Sequence, residues 1–177
     1  MKMSAQLILD NISKTYRKKK SYFGTAFSAV KAVDKVTMTC DTDQIYAVVG
    51  ESGCGKTTLA KILVGLDHPD SGDIIYNDTH VWSDETKRYA GHGFQMVFQN
   101  PYASLNPRWR LYDVLAEGLY NKKMTSAVID KKIFAILAEM RLPREICEKY
   151  PYQLSGGERQ RLAIGRSLLM EPEVLVF

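Results

Sequence analysis

One run of eight residues restricts this chain more than any other: Gly50-Glu51-Ser52-Gly53-Cys54-Gly55-Lys56-Thr57. It fits the spacing G-x-x-x-x-G-K-[ST] without a gap. Residues 44–49, just before it, form an apolar run that reads as a strand buried on both faces. Residues 56–64, just after it, read as a helix with Leu59, Ile62 and Leu63 on its inner side. Strand, glycine turn and helix in that order point to an α/β fold. Glycines let the amides of the turn point inward around phosphate oxygens, and the helix adds its N-terminal dipole and donors. Lys56 would neutralise β- and γ-phosphates. Thr57 would offer a hydroxyl to Mg²⁺, which takes few protein ligands beside water and phosphate. Cys54 occupies a free position of the loop, either as a small residue that fits or as a thiol activated by the helix N-terminus.

A second run, Leu154-Ser155-Gly156-Gly157-Glu158-Arg159-Gln160, opens another helix. Locally it reads as a capping box, with Ser155 as cap and Glu158 reaching back. Two glycines at a helix start also expose backbone donors, which would make a second anion site.

The remaining pattern supplies the frame. Strands are expected at residues 6–12, 29–39, 73–76, 94–98 and 174–177, with a further short one at 81–82 pairing back around Asn77-Asp78. Arg17, Lys18, Lys19 and Lys20 read as a basic loop, either solvated or touching lipid head groups. Residues 111–150 read as helical, with Ser126 as a cap before Val128, Ile129, Ile133, Ile136 and Leu137. The net charge of +4 (24 Lys plus Arg against 20 Asp plus Glu) is too small to argue for nucleic acid. No run approaches the roughly 20 apolar residues of a membrane span, and no leader pattern is visible at the start. The cysteines Cys40, Cys54 and Cys147 form no metal or disulfide pattern.

With both motifs and Gln99 between them, the sequence resembles an ABC ATPase. The loop at residues 50–57 matches the Walker A motif, Gln99 the Q-loop glutamine, and residues 154–160 the signature. The resemblance runs from about Leu7 to Phe177. It implies a P-loop fold with a mixed sheet, an antiparallel β portion and a helical subdomain over residues 100–152, all within one incomplete ATP-binding domain spanning residues 1–177. It implies that ATP and Mg²⁺ are bound by Gly50, Glu51, Ser52, Gly53, Cys54, Gly55, Lys56, Thr57 and Thr58. Lys56 and Gln99 would be the catalytic groups, with Thr57 and Gln99 at the metal. Ser155, Gly156, Gly157 and Glu158 would contact the nucleotide of a second subunit paired head to tail. Tyr16 matches the aromatic residue that stacks on adenine; without the resemblance it is only a loop aromatic.

The run from Phe98 to Arg108, with Asn100-Pro101 and Asn106-Pro107, is similar to ATP-binding subunits of oligopeptide, dipeptide and nickel importers. Read from the residues alone, it says only that the chain turns there. The resemblance implies integral membrane permeases as partners, no nucleic acid, and a peripheral place on the cytoplasmic face of the plasma membrane. In that family the last apolar strand ends in Asp-Glu-Pro, and a His follows later. Here Val174-Leu175-Val176-Phe177 supplies only the beginning, so a fragment or a shortened reading frame is expected, with ATP bound but hydrolysed poorly. A soluble ABC ATPase of translation or repair, or a non-catalytic ATP-binding remnant, remains an alternative.

Overall fold

The computed structural model describes residues 6–19, 27–41, 44–82, 89–91, 93–100 and 105–177. They form two compact units, residues 1–92 and 93–177.

The first unit is built on an antiparallel sheet of order β2-β1-β3-β4, made of β1 (Gln6–Lys19), β2 (Phe27–Asp41), β3 (Ser71–Tyr76) and β4 (Thr79–His80). Leu7 and Leu9 face inward with the usual period of two. A bulge after Leu9, with Asn11 at φ 51°, shifts the register so that Ile12 also turns inward. Asn77 and Asp78, at φ 50° and 60°, make the tight turn between β3 and β4. Helix α1 (Lys56–Leu63) buries Leu59 and Ile62.

Several expectations are corrected here. The strand expected at residues 6–12 runs on to Lys19, so Arg17, Lys18 and Lys19 lie in a hairpin rather than a loop; their backbone pairs with β2 through Lys19 opposite Phe27. Lys20 lies outside the described residues. The return strand is Thr79–His80 instead of residues 81–82; Trp82 makes only an isolated bridge to Tyr89. The largest correction concerns residues 44–49. They are irregular and exposed, with Ile45 fully accessible and Val49 at 87%. A strand is stable only when its amides and carbonyls are paired, and among the described residues no strand pairs with this run.

The second unit holds a parallel pair, β5 (Phe94–Met96) with β6 (Val174–Val176), in register Phe94 to Val174. Its helices are α2 (Leu111–Asn121), α3 (Ser126–Glu139) and α4 (Gly156–Leu168), with 3₁₀ turns at Arg144–Glu148 and Pro151–Gln153. Leu119 from α2, Ile129 and Ile133 from α3, and Leu162 from α4 meet in one buried core. The residue at the start of α3 that takes the cap position is Thr125; Ser126 is already helical, and no side chain caps this end. Arg166 on α4 pairs with Glu117 on α2 at 2.7 Å, and Lys132 on α3 pairs with Glu171. No helix among the described residues is long and apolar enough to cross a membrane.

Candidate functional site

The glycine loop enters α1 through Gly55, which sits at φ 101° in the left-handed region. A Cβ there would come within 1.9 Å of the Ala32 carbonyl oxygen on β2, so only glycine fits. No side chain caps α1. The amides of its first turn have no partners inside the helix and are left for a ligand. Lys56 folds back across the loop: its Nζ donates to the carbonyl oxygens of Gly50 and Glu51 at 2.7 Å each and lies 3.6 Å from Cys54 Sγ. Glu51, Ser52, Gly53, Cys54 and Thr57 are exposed. The loop therefore presents an ammonium, a hydroxyl and a helix N-terminus to solvent, a set suited to a polyphosphate and to a hard cation that keeps most of its water.

The far end of α1 is held by aromatic donors. Trp82 Nε1 donates to the Ile62 carbonyl at 3.1 Å, and the Tyr89 hydroxyl donates to the Leu63 carbonyl at 2.7 Å. The Tyr89 bond supplies a partner to a carbonyl of the kind a helix end leaves open, and the Trp82 bond adds to the one that the Ile62 carbonyl accepts from the Gly65 amide at 3.3 Å. The Trp82 and Tyr89 rings pack 5.1 Å apart, and burial pushes the Tyr89 phenol well above its ordinary value.

Tyr16 lies on β1, and its hydroxyl donates to Asp67 Oδ2 in the turn after α1. The same hydroxyl meets the side chain of Thr58 on α1. Lys14 Nζ reaches Asp67 Oδ1 at 3.0 Å and Asp70 Oδ1 at 3.4 Å, and the His68 amide donates to Asp67 Oδ1 at 2.8 Å. Burial alone would raise the Asp67 carboxyl, but the hydrogen bonds from Tyr16 and Lys14 outweigh it and hold the group below the usual carboxylate range. The bond to Asp67, helped by burial, pushes the Tyr16 phenol up. Burial would lower the Lys14 ammonium, yet its bond to Asp67 and the charges of Asp67 and Asp70 raise it. Sequence reasoning named Tyr16, Thr58 and the loop as candidates and did not name Lys14 or Asp67. The only signal for Asp67 was its place in a turn.

The remaining candidate residues lie in the second unit. Gln99 is exposed three residues after β5; Pro101 to Ser104, which follow it, lie outside the described residues. At the start of α4 the capping box forms as expected. Ser155 Oγ accepts from the Glu158 amide at 3.3 Å, and the Ser155 amide donates to Glu158 Oε2 at 2.8 Å. The Ser155 hydroxyl, donating to Glu158 Oε2 at 2.7 Å, and the Ser155 amide hold the Glu158 carboxyl below its ordinary value. Gly156 and Gly157 are different. A Cβ on Gly156 would meet nothing within 4 Å, and one on Gly157 only Arg161 at 3.7 Å. Neither has a positive φ. Nothing among the described residues demands glycine at either position.

The profile of the ABC transporter family matches residues 33–177. Among relatives, the dipeptide transport ATP-binding protein DppF of Haemophilus influenzae is 39% identical over 168 residues, covering 93% of this chain and 51% of its own length. The oligopeptide transport ATP-binding protein OppF of Lactococcus lactis subsp. lactis is 35% identical over 177 residues, covering 98% and 56%. The chain thus spans about half the length of the relatives it matches. A solved structure of the ATP-binding cassette MJ0796, a dimeric post-hydrolysis state bound to ADP and Pi, superposes with TM-score 0.79 at 24% identity, over 96% of this chain and 72% of that one. That likeness concerns the fold. CbiO1 from Clostridium perfringens, part of the transporter complex cbiONQ, gives TM-score 0.72 at 26% identity, over 96% and 63%.

Proposed function

The chain belongs to the ABC transporter family, and from that membership we propose that it is an ATP-binding subunit of a membrane importer, coupling ATP binding and hydrolysis to uptake of peptides or related solutes. The observation that carries the reading is the glycine loop of residues 50–57. It runs into an uncapped helix and holds an ammonium against its own carbonyls. In this reading Lys56 exchanges those carbonyls for β- and γ-phosphate oxygens, a stronger partner because both sides are then charged. The loop amides surround the same phosphates. In the loop's own unit Thr57 is the residue that would hold Mg²⁺, which supplies further charge neutralisation on the phosphates when bound. Tyr16 offers its ring to adenine.

Gly156 and Gly157 support a second subunit as partner. Their open space suits a phosphate-bearing neighbour approaching the α4 N-terminus, with Ser155 and Glu158 shaping that end. The similarity to the dipeptide and oligopeptide proteins supports peptides as the solute, permeases as the membrane partners, and the cytoplasmic face of the plasma membrane as the place of work. Glu171 and Glu173 precede β6, and Glu171 is paired with Lys132.

The test is calorimetric titration of ATP into the wild type and Lys56→Ala. A loss of about 10- to 100-fold in affinity is expected, the scale of a hydrogen bond to a charged group. An unchanged affinity in a folded variant would remove the proposal.

A further inference from the structure

We propose that Asp67 and Lys14 are positioning residues for the nucleotide base: with Thr58 they hold the Tyr16 ring as a fixed platform for a purine. The inference rests on the reading of Tyr16 as the stacking residue and adds what holds it in place. Tyr16 is 41% exposed and borders an open cleft with Lys14, Thr15, Arg17, Ala29 and Asp70. An exposed aromatic that must be ordered when its ligand arrives loses part of the binding energy to that ordering. Here the ordering is already in place. The phenol is tied at its tip to Asp67 and Thr58. Asp67 is itself fixed by the Lys14 ammonium at 3.0 Å and the His68 amide at 2.8 Å. The strand beneath the ring is pinned as well, since the Thr15 amide donates to Asp70 Oδ2 at 2.7 Å.

Two consequences follow from the chemistry. The Tyr16 hydroxyl is already engaged, so the ring offers a face but no polar reader for a base edge. Purines should stack without strong discrimination. Lys14 Nζ stands 5.6 Å from the ring centroid, which adds a cation–π contact to the fixing of the ring. Thr58 lies on the helix that carries Lys56 and Thr57. The network therefore joins the base platform to the phosphate loop and fixes the spacing between them.

The experiment measures, in the full chain, dissociation constants for ATP and for inorganic tripolyphosphate; their ratio reports the nucleoside part, and its change in each Tyr16 variant reports the ring's share. The wild type should prefer ATP by about tenfold, and Tyr16→Ala should abolish that preference. Tyr16→Phe and Asp67→Asn should each cut the ratio by about threefold, leave tripolyphosphate affinity unchanged, and combine without further loss. If Tyr16→Ala removes the preference while Tyr16→Phe and Asp67→Asn keep the wild-type ratio, the positioning role is overturned and the stack survives. If Tyr16→Ala leaves the ratio intact, the stacking reading itself fails. Should Asp67→Asn weaken both ligands equally while Tyr16→Phe is silent, Asp67 is merely structural and the inference is again overturned. If Asp67→Asn does not fold, Tyr16→Phe alone decides.

Discussion

Gly157 is a residue that nothing among the described residues holds to glycine. Its backbone suits any L-residue, and a methyl group there would meet only the end of Arg161. Gly157→Ala should therefore stabilise the second unit by about 0.4–1 kcal/mol in urea denaturation, because the unfolded chain loses freedom. In an assembled transporter the same change should lower ATPase activity if a partner's phosphate approaches here. Asp67 gives a residue-scale prediction in pH. Its folded value is depressed, so its contribution is present above the unfolded value near 3.8 and is lost as pH falls through the lower folded one. Urea midpoints measured from pH 6 down to pH 3 should fall more steeply for the wild type than for Asp67→Asn. The loop of residues 50–57 was legible because its chemistry is contiguous. The Tyr16–Asp67 bond was not, because it joins residues 51 positions apart and neither partner carries a local pattern.

Elements show where periodicity fails. β1 could be read only to Ile12 because the bulge at Asn11 breaks the alternation, and the basic residues beyond it look like loop. α3 was placed well by its apolar spacing, but its cap was misread by one residue, since Thr125 and Ser126 are equally plausible caps by type. The α1 clamp was invisible for a different reason. Trp82 and Tyr89 are aromatic donors whose acceptors, Ile62 and Leu63, lie in another element. Tyr89→Phe keeps the packing and removes the donor, leaving a half-buried carbonyl without its partner. A loss of about 1–3 kcal/mol is expected for the first unit. Thermal melting with and without ATP would check it, and the deficit should persist in both.

At the scale of the molecule, the α/β class follows from the motifs and is matched by solved ABC cassettes at TM-scores of 0.79 and 0.72. The antiparallel portion and the parallel pair appear as separate sheets, one in each unit. Composition could not have announced that residues 44–49 lie open. Burial there needs a pairing strand, and an apolar run states only the demand for one. Exposed Ile45, Val48 and Val49 form an adhesive strip. Replacing Ile45 and Val49 with Lys should raise the monomer fraction of the 177-residue chain, as read by light scattering. The same strip also bears on the loop it leads into. Beyond Gly55 the loop continues into a helix packed through Leu59 and Ile62, whereas ahead of Gly50 the backbone is irregular, exposed and, among the described residues, joined to no strand. A partner strand laid along that run would be felt first at Gly50, where the segment joins the phosphate loop.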